Sequence, residues 1–249
     1  MKTTIYDLQS FYNGSEGRLL QTLISGAIDK FWSEAKGEHI LGVGYAAPYL
    51  GALQADNKVA CVMMAGQGAH HWSPEQKNLT VLAEESELPF ENSSVDRVLL
   101  VHNLEYSEFL QANLNEIWRV LKPQGRLLVI VPNRSGFWSR TDWSPLGQGQ
   151  PFSKTQICNV LRDNSFVYER SRQAVFVPPI RKRFMRRAAP FFERFGFYAG
   201  LPGGVHIIEV SKQLYAKADR GTPSRVMVRG RDIFGAPAYQ SVQNRTRQS

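Results

Sequence analysis

Short apolar runs alternate with longer amphipathic stretches between about residue 38 and residue 132. Five of these runs predict strands, and each is bounded by glycine, proline, asparagine or charged residues: 39–44, 59–64, 79–82, 96–102 and 125–133. Strands that alternate with helices in this way form βαβ units, whose sheets are mostly parallel. The pattern therefore predicts an α/β fold.

The clearest predicted helix covers residues 107–121. Its apolar side chains recur at helical spacing and its polar side chains fall on the other side. Pro123 and Gly125 then end it, since proline cannot continue a helix and glycine accepts the left-handed turn. A shorter helix is predicted over 49–55. An amphipathic run over 19–32 predicts a further helix, which makes residues 1–36 a helical cover for the sheet edge or the site.

The alternation continues more loosely after residue 133. A helix is predicted over 153–164 with Ser153 as its N-cap, then a basic helix around 181–195 and a long strand over 204–216. This order predicts that the parallel sheet ends in an antiparallel addition.

The chain has 249 residues, of which 43% are hydrophobic and 21% charged. These values are typical of a globular protein, and we expect a single domain over 1–216. Apolar runs such as 98–101 and 127–131 are too short to cross a bilayer, and the N-terminus lacks a signal-like apolar stretch. A cytoplasmic location is therefore expected. Cys61 and Cys158 stand far apart, and no metal-binding spacing is present.

The net charge of +8 is concentrated towards the C-terminus. Residues 217–249 carry seven basic side chains and two acidic ones without apolar periodicity, which predicts a basic, disordered tail. Residues 181–187 carry five basic side chains in seven. Together with the aromatic stretch 188–200, this segment is interpreted first as a solvated helix with a core-facing aromatic stripe, then as an interfacial helix on an anionic membrane surface. Nucleic acid is the least favoured partner, because it would rest on charge alone.

Four motifs occur in order within residues 84–133: LPF at 88–90, VD at 95–96, HNLE at 102–105 and RVLKPQG at 119–125. This segment resembles the middle of the class I S-adenosylmethionine (SAM) dependent methyltransferases, particularly the small-molecule, type 11-like members. The resemblance implies a Rossmann-like class I methyltransferase fold, a seven-stranded mostly parallel sheet with helices on both faces. It also implies that SAM is the cofactor and lies across the carboxyl ends of the strands.

The resemblance also implies roles for single residues. Glu84 stands where the family places the acid that bonds the adenine amino group, and Glu85 where a backbone N–H meets the ring. His102 is expected at the methionine end of SAM. Asn103 and Tyr106 are expected beside the acceptor, and Tyr106 stands where relatives often carry histidine.

The glycine-rich loop departs from the family pattern. Gly44 keeps the first glycine, Ala46 and Pro48 replace the other two, and Gly42 stands in place of the acid. Gly42, Gly44, Tyr45 and Ala46 are still expected to contact SAM. The end of the second strand has no carboxylate for the ribose, although the Gln67 amide could bond a hydroxyl.

Two functions remain open on these grounds. The first is a SAM-dependent methyltransferase for a small-molecule acceptor held partly by Trp138, with no assigned catalytic residue because methyl transfer depends chiefly on in-line positioning. The second is a catalytically inactive methyltransferase fold that serves as a binding or regulatory module, with a protein partner or an anionic membrane surface as its target.

Overall fold

The seven strands form one sheet. The computed structural model describes residues 3–68, 72, 78–180 and 183–212. Its strands are β1 (His39–Gly44), β2 (Lys58–Met64), β3 (Thr80–Ala83), β4 (Val95–Val101), β5 (Leu121–Pro132), β6 (Phe166–Ala174) and β7 (Val205–Lys212), in the spatial order β3-β2-β1-β4-β5-β7-β6. All pairs up to β5 are parallel, and β7 runs antiparallel to both β5 and β6. The predicted α/β sheet and its antiparallel end are confirmed.

Helices cover both faces of the sheet. They are α1 (Ile5–Asn13), α2 (Ser15–Trp32), α3 (Ala47–Leu50), α4 (Leu110–Val120), α5 (Pro145–Gln148), α6 (Lys154–Asp163) and α7 (Arg183–Tyr198). Residues of α1, α2 and α3 pack in one buried cluster, and residues of α4 and α6 pack in a second. Successive strand residues alternate between the clusters, as Leu99 and Leu100 do, because side chains point to opposite faces of a strand. None of the described helices has the length and apolar character that a membrane span requires.

The N-terminal cover consists of two helices, although the sequence predicted one over 19–32. Helix α1 begins with a capping box in which Thr4 and Asp7 exchange hydrogen bonds, and Ile5, Leu8 and Tyr12 are buried. The two helices cross closely at Gly17, where an added Cβ would lie 2.1 Å from the carbonyl oxygen of Phe11. Helix α1 brings Tyr12 onto the carboxyl end of the sheet.

Several predicted boundaries differ from the structure. The helix predicted over 49–55 is only one turn, Ala47–Leu50, and the following residues form turns. Helix α4 ends at Val120 because Leu121 already pairs with Val95, so β5 begins four residues before its predicted start. Ser153 caps α6 as predicted. The last strand is Val205–Lys212. The predicted tail, 217–249, lies outside the described residues, as do residues 181–182.

A buried histidine on β7 predicts acid sensitivity of the fold. His206 is buried, and its Nε2 has no hydrogen-bond partner. Burial, with a smaller contribution from Lys154, lowers the pKa of His206 from 6.5 to about 4. The unfolded chain therefore takes up a proton at a higher pH than the folded chain, and stability falls as the pH drops from 6.5 to about 4. We expect His206→Gln to flatten this part of the pH profile in urea unfolding; an unchanged slope would contradict the assignment.

Candidate cofactor and acceptor site

The direction in which strands are added reverses between β1 and β4, and ligands of such sheets bind at the carboxyl ends near that point. A pocket of about 180 Å³ lies there, at the loops that follow β2, β3 and β4. It is lined by Thr3, Met64–Gln67, Glu84–Ser86, Tyr106, Glu108 and Phe109. The pocket thus includes both acidic residues that the sequence placed at the adenine.

Gln67 presents a buried acceptor at the end of β2. Its side-chain nitrogen donates to the carbonyl oxygen of His102 at 3.3 Å, whereas its Oε1 is buried without a partner. A buried polar atom without a partner is costly, so this oxygen is suited to accept a hydrogen bond from a ligand hydroxyl. Gln67 therefore occupies the place where the family pattern predicted an acid for the ribose.

The two acids after β3 have different environments. Glu84 is exposed at the pocket. Glu85 accepts hydrogen bonds from the Phe109 backbone N–H at 3.3 Å and from Asn113 Nδ2 at 3.2 Å, so it holds the start of α4. Glu84 is thus the carboxylate that remains accessible to a ligand, while Glu85 shapes the pocket.

Asn113 is a site residue that the sequence reasoning missed. It is fully buried and also donates to Asn103 Oδ1 at 2.9 Å, which links α4 to the end of β4. The signal was available in the sequence, since an asparagine falls on the otherwise apolar side of α4.

A buried hydrogen-bonded chain runs from α3 through α1 to the end of β4. The hydroxyl of Tyr49 donates to that of Tyr12 at 3.0 Å, and Tyr12 lies 2.8 Å from His102 Nε2. His102 Nδ1 lies 3.0 Å from Glu105 Oε1, and both side chains are almost completely buried. His102 has φ of +49°, a left-handed conformation that is uncommon for residues other than glycine.

The direction of the Tyr49–Tyr12 bond indicates one arrangement of the protons along this chain. Burial raises the pKa of Tyr12 and of Tyr49, so both phenols remain protonated at neutral pH. Because Tyr12 accepts from Tyr49, its own hydrogen is directed at His102 Nε2. The proton of a neutral imidazole then resides on Nδ1 and is donated to Glu105. In this arrangement His102 and Glu105 form a dyad in which Nε2 accepts the hydrogen bond from Tyr12.

The turn after β1 brings the backbone close to the end of β4. Gly44 has φ of +81°, and an added Cβ would lie 2.4 Å from the carbonyl oxygen of Val101. At Gly42, an added Cβ would lie 2.7 Å from both Ala46 Cβ and Leu50 Cδ1, so α3 packs directly on β1. Tyr45 and Ala46 are buried, and the Tyr45 ring lies 5.3 Å from that of Tyr12. The structure therefore packs Tyr45 and His102 against Tyr12 of α1, and neither these four residues nor His102 is among those that line the pocket at Glu84.

The three predicted acceptor residues lie in different surroundings. Tyr106 lines the pocket and donates to the carbonyl oxygen of Pro145 at 2.7 Å. Asn103 is fully buried between Met64 and Asn113. Trp138 is buried in the core, and its indole N–H donates to the carbonyl oxygen of Val177 at 2.7 Å.

A second, larger cavity of about 660 Å³ lies on the outer side of α1 and includes Thr3, which the smaller pocket also contacts. Phe11 and Trp143 form its aromatic wall, with ring centroids 6.2 Å apart. Asp7, Glu16 and Asp142 also line it. Trp143 is thus the tryptophan of the 134–152 loop that lines this cavity, which the sequence did not distinguish from Trp138.

Residues 41–129 match the family model described as a methyltransferase domain. One curated relative, an uncharacterized protein of Methanocaldococcus jannaschii, is 41% identical over 58 residues, or 23% of this chain. The matched segment spans about a quarter of that relative's length (25%). The matched region supports the resemblance drawn from residues 84–133.

Solved SAM-dependent methyltransferases have the same fold. One from Thermotoga maritima aligns with a TM-score of 0.57 at 15% identity, covering 84% of this chain and 99% of that one. One from Mesorhizobium loti aligns at 0.53 and 13%, covering 75% and 96%. One from Aquifex aeolicus aligns at 0.51 and 17%, covering 77% and 91%. The predicted fold class is confirmed.

Proposed function

We propose that this chain binds SAM and transfers its methyl group to a small-molecule acceptor. The observation that carries the proposal is the pocket at the carboxyl ends of β2 and β3, where the unpartnered Gln67 Oε1 and the accessible Glu84 carboxylate lie together. An adenosine group offers hydroxyls for the first and an amino group for the second. The side chains present therefore fit the adenosine half of SAM.

The methionine half requires a movement of α1. His102, the residue proposed for that end, is hydrogen-bonded to Tyr12, and the Tyr12 ring also packs against Tyr45 of the glycine-rich turn. The start of α1 is held by the Ile5 N–H, which donates to the carbonyl oxygen of Gln67 at 2.8 Å. Because this contact joins the helix directly to the pocket, ligand binding at Gln67 and displacement of Tyr12 are coupled in the proposal.

Bound SAM supplies an electrophilic methyl group on a sulfonium sulfur. The His102–Glu105 dyad supplies a proton acceptor beside it. Once Tyr12 withdraws, His102 Nε2 can accept the proton of an acceptor hydroxyl or amine as that atom takes the methyl group. Glu105 holds the Nδ1 proton and stabilises the imidazolium that forms.

The acceptor is proposed to bind in the larger cavity. Its aromatic wall suits a ring or other apolar group, and its three carboxylates disfavour an anion. An aromatic amine fits both features better than an aromatic acid. This preference is tested by measuring the transfer of a labelled methyl group from SAM to a panel of aromatic amines. The matching aromatic carboxylic acids serve as the control for charge.

The cofactor assignment is tested by a pair of neighbouring glutamates. Glu84→Gln is expected to weaken SAM binding by roughly tenfold or more, since a hydrogen bond to a charged group contributes about 1.5–3 kcal/mol. Glu87→Gln is the matched control, because Glu87 is exposed in the same loop but does not line the pocket. Calorimetric titration of both variants measures the effect. Equal affinities in the two variants would refute the assignment of Glu84.

A further inference from the structure

Helix α7 is fixed to the domain by one side. Glu193 accepts hydrogen bonds from the backbone N–H groups of Val175, Phe176 and Val177, in the segment that follows β6. Ala189 is buried in the core. An added Cβ at Gly196 would lie 2.5 Å from Phe176, so the helix packs closely there. The orientation of α7 on the domain is therefore well defined.

The opposite side of α7 exposes a row of aromatic rings, which we call the outer aromatic face: Phe191, Phe195 and Tyr198. Their exposed fractions are 65%, 53% and 78%. Spacings of four and three residues place them on one side of the helix. The Phe191 and Phe195 rings are stacked, with centroids 5.8 Å apart. Single exposed apolar residues are ordinary, whereas a contiguous aromatic row indicates an interaction surface.

The segment that carries this face is almost entirely positive in its charged residues. Residues 181–201 contain six basic residues and a single acid, Glu193. The Glu193 side chain points towards the domain, where its carboxylate oxygens accept hydrogen bonds from the three backbone N–H groups. Arg187 and Arg194 are exposed on the helix itself. The outer aromatic face therefore lies within a positive field that no nearby carboxylate of this segment offsets.

Exposed aromatic rings beside exposed arginines favour one kind of partner. A second copy of α7 would bring like charges together, and the 217–249 tail is itself basic. An anionic lipid surface satisfies both features, since aromatic rings partition to the boundary between headgroups and acyl chains while arginines meet the headgroups. We propose that α7 docks this domain on anionic membranes through its outer aromatic face, with Arg187 and Arg194 in contact with lipid headgroups. This inference is independent of the proposed methyl transfer.

Co-flotation of the full chain with vesicles tests the proposal. We expect binding to phosphatidylcholine vesicles that contain about 30 mol% phosphatidylserine, an anionic lipid of the cytoplasmic leaflet. We expect little binding to vesicles of phosphatidylcholine alone. Phe191→Ser with Phe195→Ser is expected to weaken partitioning by about tenfold or more. Arg187→Gln with Arg194→Gln is expected to weaken it to a similar extent and to remove most of its salt dependence.

Matched controls separate α7 from the general positive charge of the chain. Lys36→Gln with Arg162→Gln removes two exposed positive charges elsewhere, and Phe137→Ser removes an exposed ring elsewhere. Both controls should bind as the parent does, and circular dichroism checks that every variant is folded. The proposal is overturned if the parent ignores anionic vesicles, or if the α7 variants bind as the controls do. It is also overturned if the phenylalanine variant only converts a dimer to a monomer, or only loses binding to single-stranded DNA.

Discussion

Replacing Gly44 by alanine should lower the free energy of unfolding by roughly 3–5 kcal/mol and abolish SAM binding. Two effects add at this position. The backbone has φ of +81°, which favours glycine, and the new Cβ would meet the carbonyl oxygen of Val101. The turn after β1 would have to open, which would displace Tyr45 and the end of β4 together.

Gly26→Ala is the control for this substitution. Gly26 lies within α2, has a helical conformation and has no atom near its added Cβ. There the same change should stabilise the protein by about 0.5–1 kcal/mol, because alanine is the better helix former. Chemical denaturation measures both values. A small or equal effect at the two positions would show that the turn after β1 is not constrained as described.

Replacing His102 by glutamine should lower kcat for methyl transfer by a factor of about 10²–10⁴, the usual contribution of a positioned acid–base group. Glutamine keeps a buried polar side chain but cannot take up a proton. Glu105→Gln should lower kcat in the same direction, since it removes the charge that stabilises the imidazolium. SAM affinity, measured by titration, should fall much less than kcat in both variants.

The Tyr12→Phe variant distinguishes an acid–base role of His102 from a purely structural role. It breaks the same buried chain at the Tyr12–His102 bond while leaving the dyad intact. The variant should keep its turnover, because Tyr12 has to leave Nε2 before the acceptor can reach it. A loss of kcat as large as that of His102→Gln would mean that the hydrogen-bonded chain supports the fold and not the chemistry.

Much of the fold could be predicted from local pattern. The strands after Gly37 are bounded by turn residues. Their alternation with helices predicts a parallel sheet and does not depend on which apolar residues fill the strands. Glu84 and Glu85 could be expected at one site because they lie a few residues before the LPF motif at 88–90. Both line the pocket, although only the structure shows that Glu85 is engaged with α4.

The rest of the site depends on contacts between distant segments. Tyr12 and His102 are separated by 90 residues, and no local signal indicates that the N-terminal helix delivers a phenol to the end of β4. Trp138 and Trp143 are similar in sequence context, and only packing decides that one is buried beneath Val177 while the other lines a cavity. The aromatic residues of α7 likewise could have faced the core, as their helical spacing first indicated.

Calorimetric titration of the full chain with SAM and with its demethylated product tests whether this fold binds the cofactor, and it requires no knowledge of the acceptor. We expect micromolar binding of both ligands, with slow binding or an unfavourable binding entropy because α1 must move. An absence of binding up to millimolar concentrations would contradict this expectation. The chain would then be a methyltransferase fold that serves as a binding module.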